Sequence, residues 1–143
     1  MSKSLAQLGA VCAVLVAALP AEAMSIYRWK SRPVIVFAGS GGDKALAEQH
    51  RIFNRNRAGL ADRDIVVVWV TGNDVTADLG PGPGLTAAQL RARLGATGNG
   101  FRVVLVGMDG STKLTQSKPL STTTLFATID AMPMRREKLR RGS

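Results

Sequence analysis

Residues 32–43 read RPVIVFAGSGGD, an apolar run that ends in glycines and an aspartate. A short continuous apolar run bounded by Pro33 and by glycines is typical of a buried β-strand. Asp43 suits a helix N-cap, because its side-chain oxygen can accept hydrogen bonds from the free N–H groups of the first turn. We therefore predict a strand over residues 34–38 and a helix from Asp43 to about Arg57 that ends at Gly59.

The rest of the chain continues this alternation. Residues 65–70 and 101–106 are two further buried apolar runs, and a glycine- and proline-rich loop, residues 71–84, follows the first of them. Thr86 and Gln89 form a capping box that starts a helix. The Asp109-Gly110 turn leads into residues 112–116, which have the mostly polar pattern of an edge strand.

A last helix completes the order. Ser121 is its predicted N-cap, its buried stripe includes Leu125 and Ile129, and Pro133 interrupts it. The predicted fold is α/β in the order βαβαββα, with a four-stranded mixed sheet flanked by helices. This is the order of a three-layer thioredoxin-like fold.

The first 23 residues have the pattern of a signal peptide. Lys3 provides the positive charge, a run rich in alanine, valine and leucine follows, and the chain reaches a small-x-small cleavage pattern at Ala21-Glu22-Ala23. The apolar run is shorter than the roughly 20 residues that cross a bilayer. We predict cleavage after Ala23, a periplasmic or secreted location, and no transmembrane segment after cleavage.

Composition and the single cysteine narrow the function. The 143-residue chain is 45% hydrophobic and 20% charged, with a net charge of +9, which is typical of one globular domain rather than a disordered basic chain. Its one cysteine, Cys12, lies within the predicted signal peptide. The mature chain would therefore offer no thiol nucleophile, disulfide or thiolate ligand.

Three stretches resemble one family of small secreted bacterial proteins. They are residues 32–38, residues 100–110 (GFRVVLVGMDG) and, above all, residues 130–136 (DAMPMRR). On these residues the sequence is similar to domain-of-unknown-function family 4174, over about residues 31–138. The resemblance implies a fold like those of thioredoxins and peroxiredoxins, and it carries no established activity.

Two departures from working thioredoxins argue against thiol chemistry. Thioredoxins and peroxiredoxins place a reactive cysteine at the start of the first helix, where this chain has residues 39–43. The proline that precedes the third strand in thioredoxins is replaced by residues 97–100, TGNG. We therefore predict a redox-inactive binding or adaptor module with no catalytic residues and no cofactor.

The candidate ligand-binding residues lie at the same place. They are Gly39, Ser40, Gly41, Gly42, Asp43 and Gln49. Backbone N–H groups at a helix start can hold an anion, but no phosphate-loop motif is present, so a tight turn is the simpler interpretation. Gln49 and Asn56 interrupt the apolar stripe of the first helix, and they either bond the backbone or line a small polar pocket.

Catalysis by a histidine and metal binding have weaker support. The one histidine, His50, is placed along the helix away from Ser40, so a packed role is simpler than a catalytic one. Asn73, Asp74 and Asp78 do not have the spacing of a calcium loop, and one histidine without cysteines does not favour zinc. We expect no metal site.

A basic segment ends the chain. Residues 134–143 carry a strong excess of arginine and lysine beyond the predicted domain, residues 31–133. A solvated tail is the default, and attraction to an anionic envelope component is the alternative. Since no aromatic residues interleave with these charges, we expect no nucleic-acid binding. The partner is therefore an unknown protein or an anionic component of the envelope.

Overall fold

A five-stranded mixed sheet organises the computed structural model, which describes residues 21–142. Its strands are β1 (Arg32–Ala38), β2 (Ile65–Thr71), β3 (Asp74–Asp78), β4 (Arg102–Val106) and β5 (Thr112–Gln116). They lie in the order β3-β2-β1-β4-β5. β1 and β2 are parallel, and each of the other neighbouring pairs is antiparallel.

Helices flank this sheet. They are a 3₁₀ helix (Ala21–Tyr27), α1 (Lys44–Asn54), α2 (Arg57–Asp62), α3 (Ala87–Leu94), α4 (Thr122–Asp130) and α5 (Pro133–Gly142). The predicted N-caps are confirmed: Asp43 caps α1, Thr86 and Gln89 form the capping box of α3, and Ser121 caps α4. Within the described residues, no helix combines the length and apolar character that crossing a bilayer requires.

The core has two parts because helices cover both faces of the central strands. One face of β1 presents Val34 and Val36 to a cluster that includes residues of α1, α2 and α4. The other face presents Ile35 and Phe37 to a second cluster, which includes residues of α3 and Tyr27. Burial on both faces explains why β1 and β2 are continuous apolar runs rather than alternating ones.

The prediction of four strands is wrong, because β3 lies within the segment predicted as a loop. It pairs with β2 from Thr71↔Asp74 to Val67↔Asp78, which leaves Gly72 and Asn73 as a two-residue hairpin turn. The strand is a mostly polar edge, so it lacks the apolar run that identifies buried strands. The order βαβαββα therefore omits this strand.

The predicted first helix is two helices. α1 ends at Asn54, α2 begins at Arg57, and Gly59 lies inside α2 instead of ending a helix. A Cβ at Gly59 would lie 2.8 Å from the Phe126 ring, so this glycine permits a close helix contact. Its role is packing rather than capping.

Segments on both sides of the predicted domain, residues 31–133, also pack against it. Tyr27 is buried and its hydroxyl donates to the Pro81 carbonyl at 2.6 Å. The basic segment forms helix α5. Arg135 in this helix is only 3% exposed, so it does not belong to a solvated tail. Residues 1–20 of the predicted signal peptide lie outside the described residues.

Candidate functional site

The predicted candidate loop, residues 39–43, lies at the carboxyl end of β1, and its first residue, Gly39, is closely packed. A Cβ at Gly39 would lie 2.8 Å from the Asn99 carbonyl oxygen, so residues 97–100 approach it closely. Arg91 donates to the carbonyls of Gly72 and Ala38, at 2.7 and 3.2 Å. The structure therefore brings together three turns, residues 39–43, 72–73 and 97–100. Arg91, which the sequence pattern did not indicate, links the first two of them.

The polar groups of this loop are used by the fold. Asp43 Oδ1 accepts from the backbone N–H groups of Ala45 and Leu46, at 2.8 and 3.2 Å. These are donors that an anion at the start of α1 would need. Ser40, Gly41 and Gly42 are exposed.

Gln49 and His50 have structural partners. Gln49 is fully buried, with Nε2 donating to the Leu120 carbonyl at 2.9 Å and Oε1 accepting from the Leu120 N–H at 2.7 Å. His50 stacks on Trp69 with ring centroids 3.7 Å apart. Burial lowers the pKa of His50, and the nearby charge of Asp78 partly offsets this. The backbone of Leu120 thus takes up both polar ends of the Gln49 side chain.

A cluster of ion pairs joins α2, α4 and α5 at the other end of β1. Asp130 accepts from Nε and Nη2 of Arg63, at 3.1 and 2.9 Å, and from Nε of Arg135 at 3.0 Å. Arg135 also donates to the carboxylate of Asp62 at 2.7 Å. Hydrogen bonds from Arg63 and Arg135 lower the pKa values of Asp130 and Asp62, respectively. Arg135 therefore attaches α5 to the domain.

Arg32 lies at the border of this cluster and leaves one of its hydrogen-bond donors unused. The residue is 3% exposed, and Nη1 donates to the Arg63 carbonyl at 2.9 Å. Its ion pair with Asp64 is long, 3.8 Å, and its buried Nε has no hydrogen-bond partner among the described residues. Burial lowers the pKa of Arg32, and the charge of Asp64 opposes this shift. A buried guanidinium with an unused donor is uncommon enough to require an explanation.

Arg32 lines a groove of about 260 Å³ beside this cluster. The apolar walls of the groove are formed by Trp29, Met108, Met132, Pro133 and Met134. Trp29 is 60% exposed and Met134 48% exposed. We call this the Arg32 groove. It combines a buried cation with exposed apolar side chains, as small-molecule sites do.

The rim of the Arg32 groove is held in place by local hydrogen bonds. Trp29 has a φ of 64°, which is rare for a bulky residue, and its N–H donates to the Met108 carbonyl at 2.8 Å. Asp109 accepts from Ser111 and Lys113, and the Ser111 bonds are the main reason why its pKa is about 2. Lys113 thus neutralises the carboxylate at the rim.

The groove and the predicted loop lie at opposite ends of β1. Arg32 begins this seven-residue strand and Ala38 ends it, so they are about 20 Å apart along the sheet. Sequence reasoning missed the groove because its walls come from segments that are far apart in the chain. The exposed Trp29 and the methionines near Pro133 were the available signals. No group of metal-ligating side chains occurs within the described residues.

Comparison with known proteins agrees with the resemblance seen in the sequence. The model of the family described as a domain of unknown function, DUF4174, matches residues 23–138. The chain belongs to this family. Neither the curated proteins nor the solved structures contain a match.

Proposed function

We propose that this protein is a secreted or periplasmic binding module on a thioredoxin-like scaffold, without thiol-disulfide activity. The scaffold proposal is supported by the central sheet. When β3 is set aside, the remaining strands lie in the order β2-β1-β4-β5, with β1 and β2 parallel and the other pairs antiparallel. In the chain, α1 follows β1, α3 comes between β2 and β4, and α4 follows β5. This is the predicted order βαβαββα with β3, α2 and α5 added.

The binding role is carried by one observation, the Arg32 groove. Exposed large apolar side chains beside a concave surface are typical of binding sites. The alternative, a non-thiol enzyme or an anion site at residues 39–43, has less support because Asp43 occupies N–H groups at the start of α1. The ligand therefore binds at the end of β1 opposite to the place where thioredoxins carry their cysteine.

A panel of small amphiphiles tests this function. The protein is titrated with a neutral, an anionic and a cationic compound of similar apolar size, and binding is followed by amide chemical shifts. We expect saturable binding of at least one of them, lost in Trp29→Ala and kept in Ile26→Ala. Ile26 is the matched control because it is 41% exposed and lies outside the groove wall. Binding that is unaffected by Trp29→Ala, or no saturable binding at all, contradicts the proposal.

Attachment to the envelope surface is the second candidate, favoured by the charge of α5. Arg136, Lys138, Arg140 and Arg141 are all exposed on this helix, with Glu137 as their only acidic neighbour in it. Each cation near an anionic membrane contributes about 1 kcal/mol. Because Arg135 is structural, the test replaces Arg140 and Arg141 with glutamine instead of deleting the helix. Cosedimentation with phosphatidylglycerol vesicles should fall in this variant, and unchanged cosedimentation removes the candidate.

A further inference from the structure

We propose that the Arg32 groove binds a small organic monocarboxylate, whose carboxylate accepts from Arg32 and whose apolar body lies against Trp29 and the methionines. This inference rests on the proposed function, since it requires that the groove is a binding site. It goes further by naming the class of ligand and the residue that selects it.

The first argument is the unused donor. Arg32 Nε is buried without a hydrogen-bond partner among the described residues, and a buried N–H without an acceptor is destabilising. The same edge of another guanidinium in this cluster shows which partner it takes. Arg63 uses Nε and Nη2 to hold both carboxylate oxygens of Asp130, at 3.1 and 2.9 Å. Because Nε is buried, the groove wall must shift to admit a ligand carboxylate, which then matches this planar, two-donor edge.

The second argument is the charge balance of the cluster. Its cations are Arg32, Arg63, Arg135 and Lys138, and its anions are Asp62, Asp64 and Asp130. One positive charge is therefore left over, and the weakest pairing belongs to Arg32, 3.8 Å from Asp64. A single negative charge completes the balance, which favours a monocarboxylate over a phosphate that carries nearly two charges.

The third argument is the size and character of the groove. Its volume is about 260 Å³. Such a volume suits a short alkyl or aryl body rather than a folded partner. Met108, Met132 and Met134 provide flexible, polarizable walls, and such side chains adapt to ligands of varied shape.

Octanoate and octanamide form a matched pair of probes, because they differ in charge and share the apolar body. The protein is purified in the form that the cell leaves after any processing, and each probe is titrated by calorimetry. We expect one octanoate per chain and at least tenfold weaker binding of octanamide. Acetate, which lacks the apolar body, should also bind at least tenfold more weakly.

Three variants identify the anchor. Arg32→Lys keeps the charge but removes the Nε–Nη2 edge, and we expect at least a tenfold loss of octanoate affinity with octanamide unchanged. Lys113→Gln removes the rim cation and leaves the Asp109 carboxylate without its ion pair, so we expect a smaller loss of octanoate affinity than in Arg32→Lys. Arg136→Met removes an exposed cation outside the groove wall and is the matched control, which should bind octanoate within twofold of the wild type. The comparison of probes on the wild-type protein remains decisive even where Arg32→Lys does not fold.

The outcomes separate this inference from the proposed function. Equal binding of octanoate and octanamide overturns the carboxylate inference and leaves the groove as a site for neutral ligands. Inorganic phosphate that competes as well as octanoate also overturns it, as does loss of affinity in Lys113→Gln with none in Arg32→Lys. If no probe of any charge binds, both the inference and the proposed groove are wrong.

Discussion

Gln49 is a polar side chain that the core requires. Both ends of its amide bond the backbone of Leu120, and all of these groups are buried. Replacing it with leucine leaves a buried N–H and a buried carbonyl without partners. The two hydrogen bonds that link α1 to the residue before the N-cap of α4 would then be lost.

We predict that Gln49→Leu lowers the free energy of unfolding by about 2–4 kcal/mol, because each unpaired buried group costs about 1–3 kcal/mol. Urea denaturation followed by circular dichroism measures this change. Gln116→Leu is the control, since Gln116 is partly exposed and bonds carbonyls in its own loop. A loss below about 0.5 kcal/mol in Gln49→Leu would show that these hydrogen bonds are not important for stability.

Gly80 is required by close packing against β2. A Cβ at this position would lie 2.5 Å from a methyl group of Val66, which is buried and stiff at χ1. A Cβ at Gly82 would meet only the Ala77 Cβ, at an ordinary 3.9 Å.

We predict that Gly80→Ala destabilises the protein by about 1–3 kcal/mol through overpacking. Gly82→Ala should stay within about 0.5 kcal/mol of the wild type. Thermal unfolding compares the two variants, and Gly80→Ala should cost less in a Val66→Ala background than in the wild type. Equal stabilities of the two alanine variants would be inconsistent with the Val66 contact.

At the scale of elements, α5 is attached through the ion-pair cluster, and Arg135 is its buried side chain. Arg135 donates to Asp62 and Asp130 while its neighbours on the helix are exposed. Burial alone would lower the pKa of Arg135, but the hydrogen bonds with both aspartates raise it. The helix therefore depends on this cluster more than on apolar packing.

We predict that Arg135→Met detaches α5 and lowers stability by about 1–3 kcal/mol, because hydrogen bonds to charged groups are lost. Amide hydrogen exchange should show loss of protection across Pro133–Gly142, with the central strands still protected. The exposed neighbour gives the matched control, Arg136→Met, which should keep the protection. Unchanged exchange in Arg135→Met would mean that other contacts hold the helix.

Acid should have the same effect as this substitution. The pKa values of Asp62 and Asp130 are lowered below 3.8 in the folded protein, mainly by hydrogen bonds from Arg135 and Arg63. The stability that these two carboxylates give to the folded protein is therefore present above pH 3.8, and it is lost as the pH falls through their lowered pKa values. The protection factors of the α5 amides, which correct for the intrinsic pH dependence of exchange, should fall below pH 3.8 in the wild type and change less in Arg135→Met. The same acid response in both proteins would exclude the two aspartates as its cause.

The elements also show which local sequence signals are enough to predict a strand or a helix end. β1, β2 and β4 are predictable because continuous apolar runs are needed where both faces are covered. Helix caps are predictable because Asp43, Thr86 and Ser121 act within their own turn. β3 is harder since its residues are mostly polar, although the Gly72-Asn73 pair is a hairpin signal that could have indicated it.

At the scale of the whole molecule, the position of the only cysteine determines which redox chemistry we expect. The only cysteine of the chain, Cys12, lies in the predicted signal peptide. We predict that the processed protein has no turnover in insulin-reduction and peroxide-consumption assays, because thiol-disulfide exchange requires a thiolate. A working thioredoxin is the positive control. Turnover above the uncatalysed rate would contradict the proposed redox-inactive scaffold.

The candidate site was the least predictable part of the molecule. The sequence pointed to residues 39–43 because thioredoxins are active there, but hydrogen bonds and close packing account for Gly39 and Asp43. The Arg32 groove depends instead on Trp29 and Pro133, which are far apart in sequence and approach each other only after the sheet and α5 have formed. Burial of Arg32 depends on partners in other segments, so no local pattern indicates it.

An amide chemical-shift map of the protein with octanoate tests the central claim most directly, since it asks where along β1 the ligand binds. Our account predicts saturable shifts at Trp29, Arg32, Met108 and Met134, with no change at residues 39–43. Saturable shifts confined to residues 39–43 and 97–100, with none at Arg32, would contradict it.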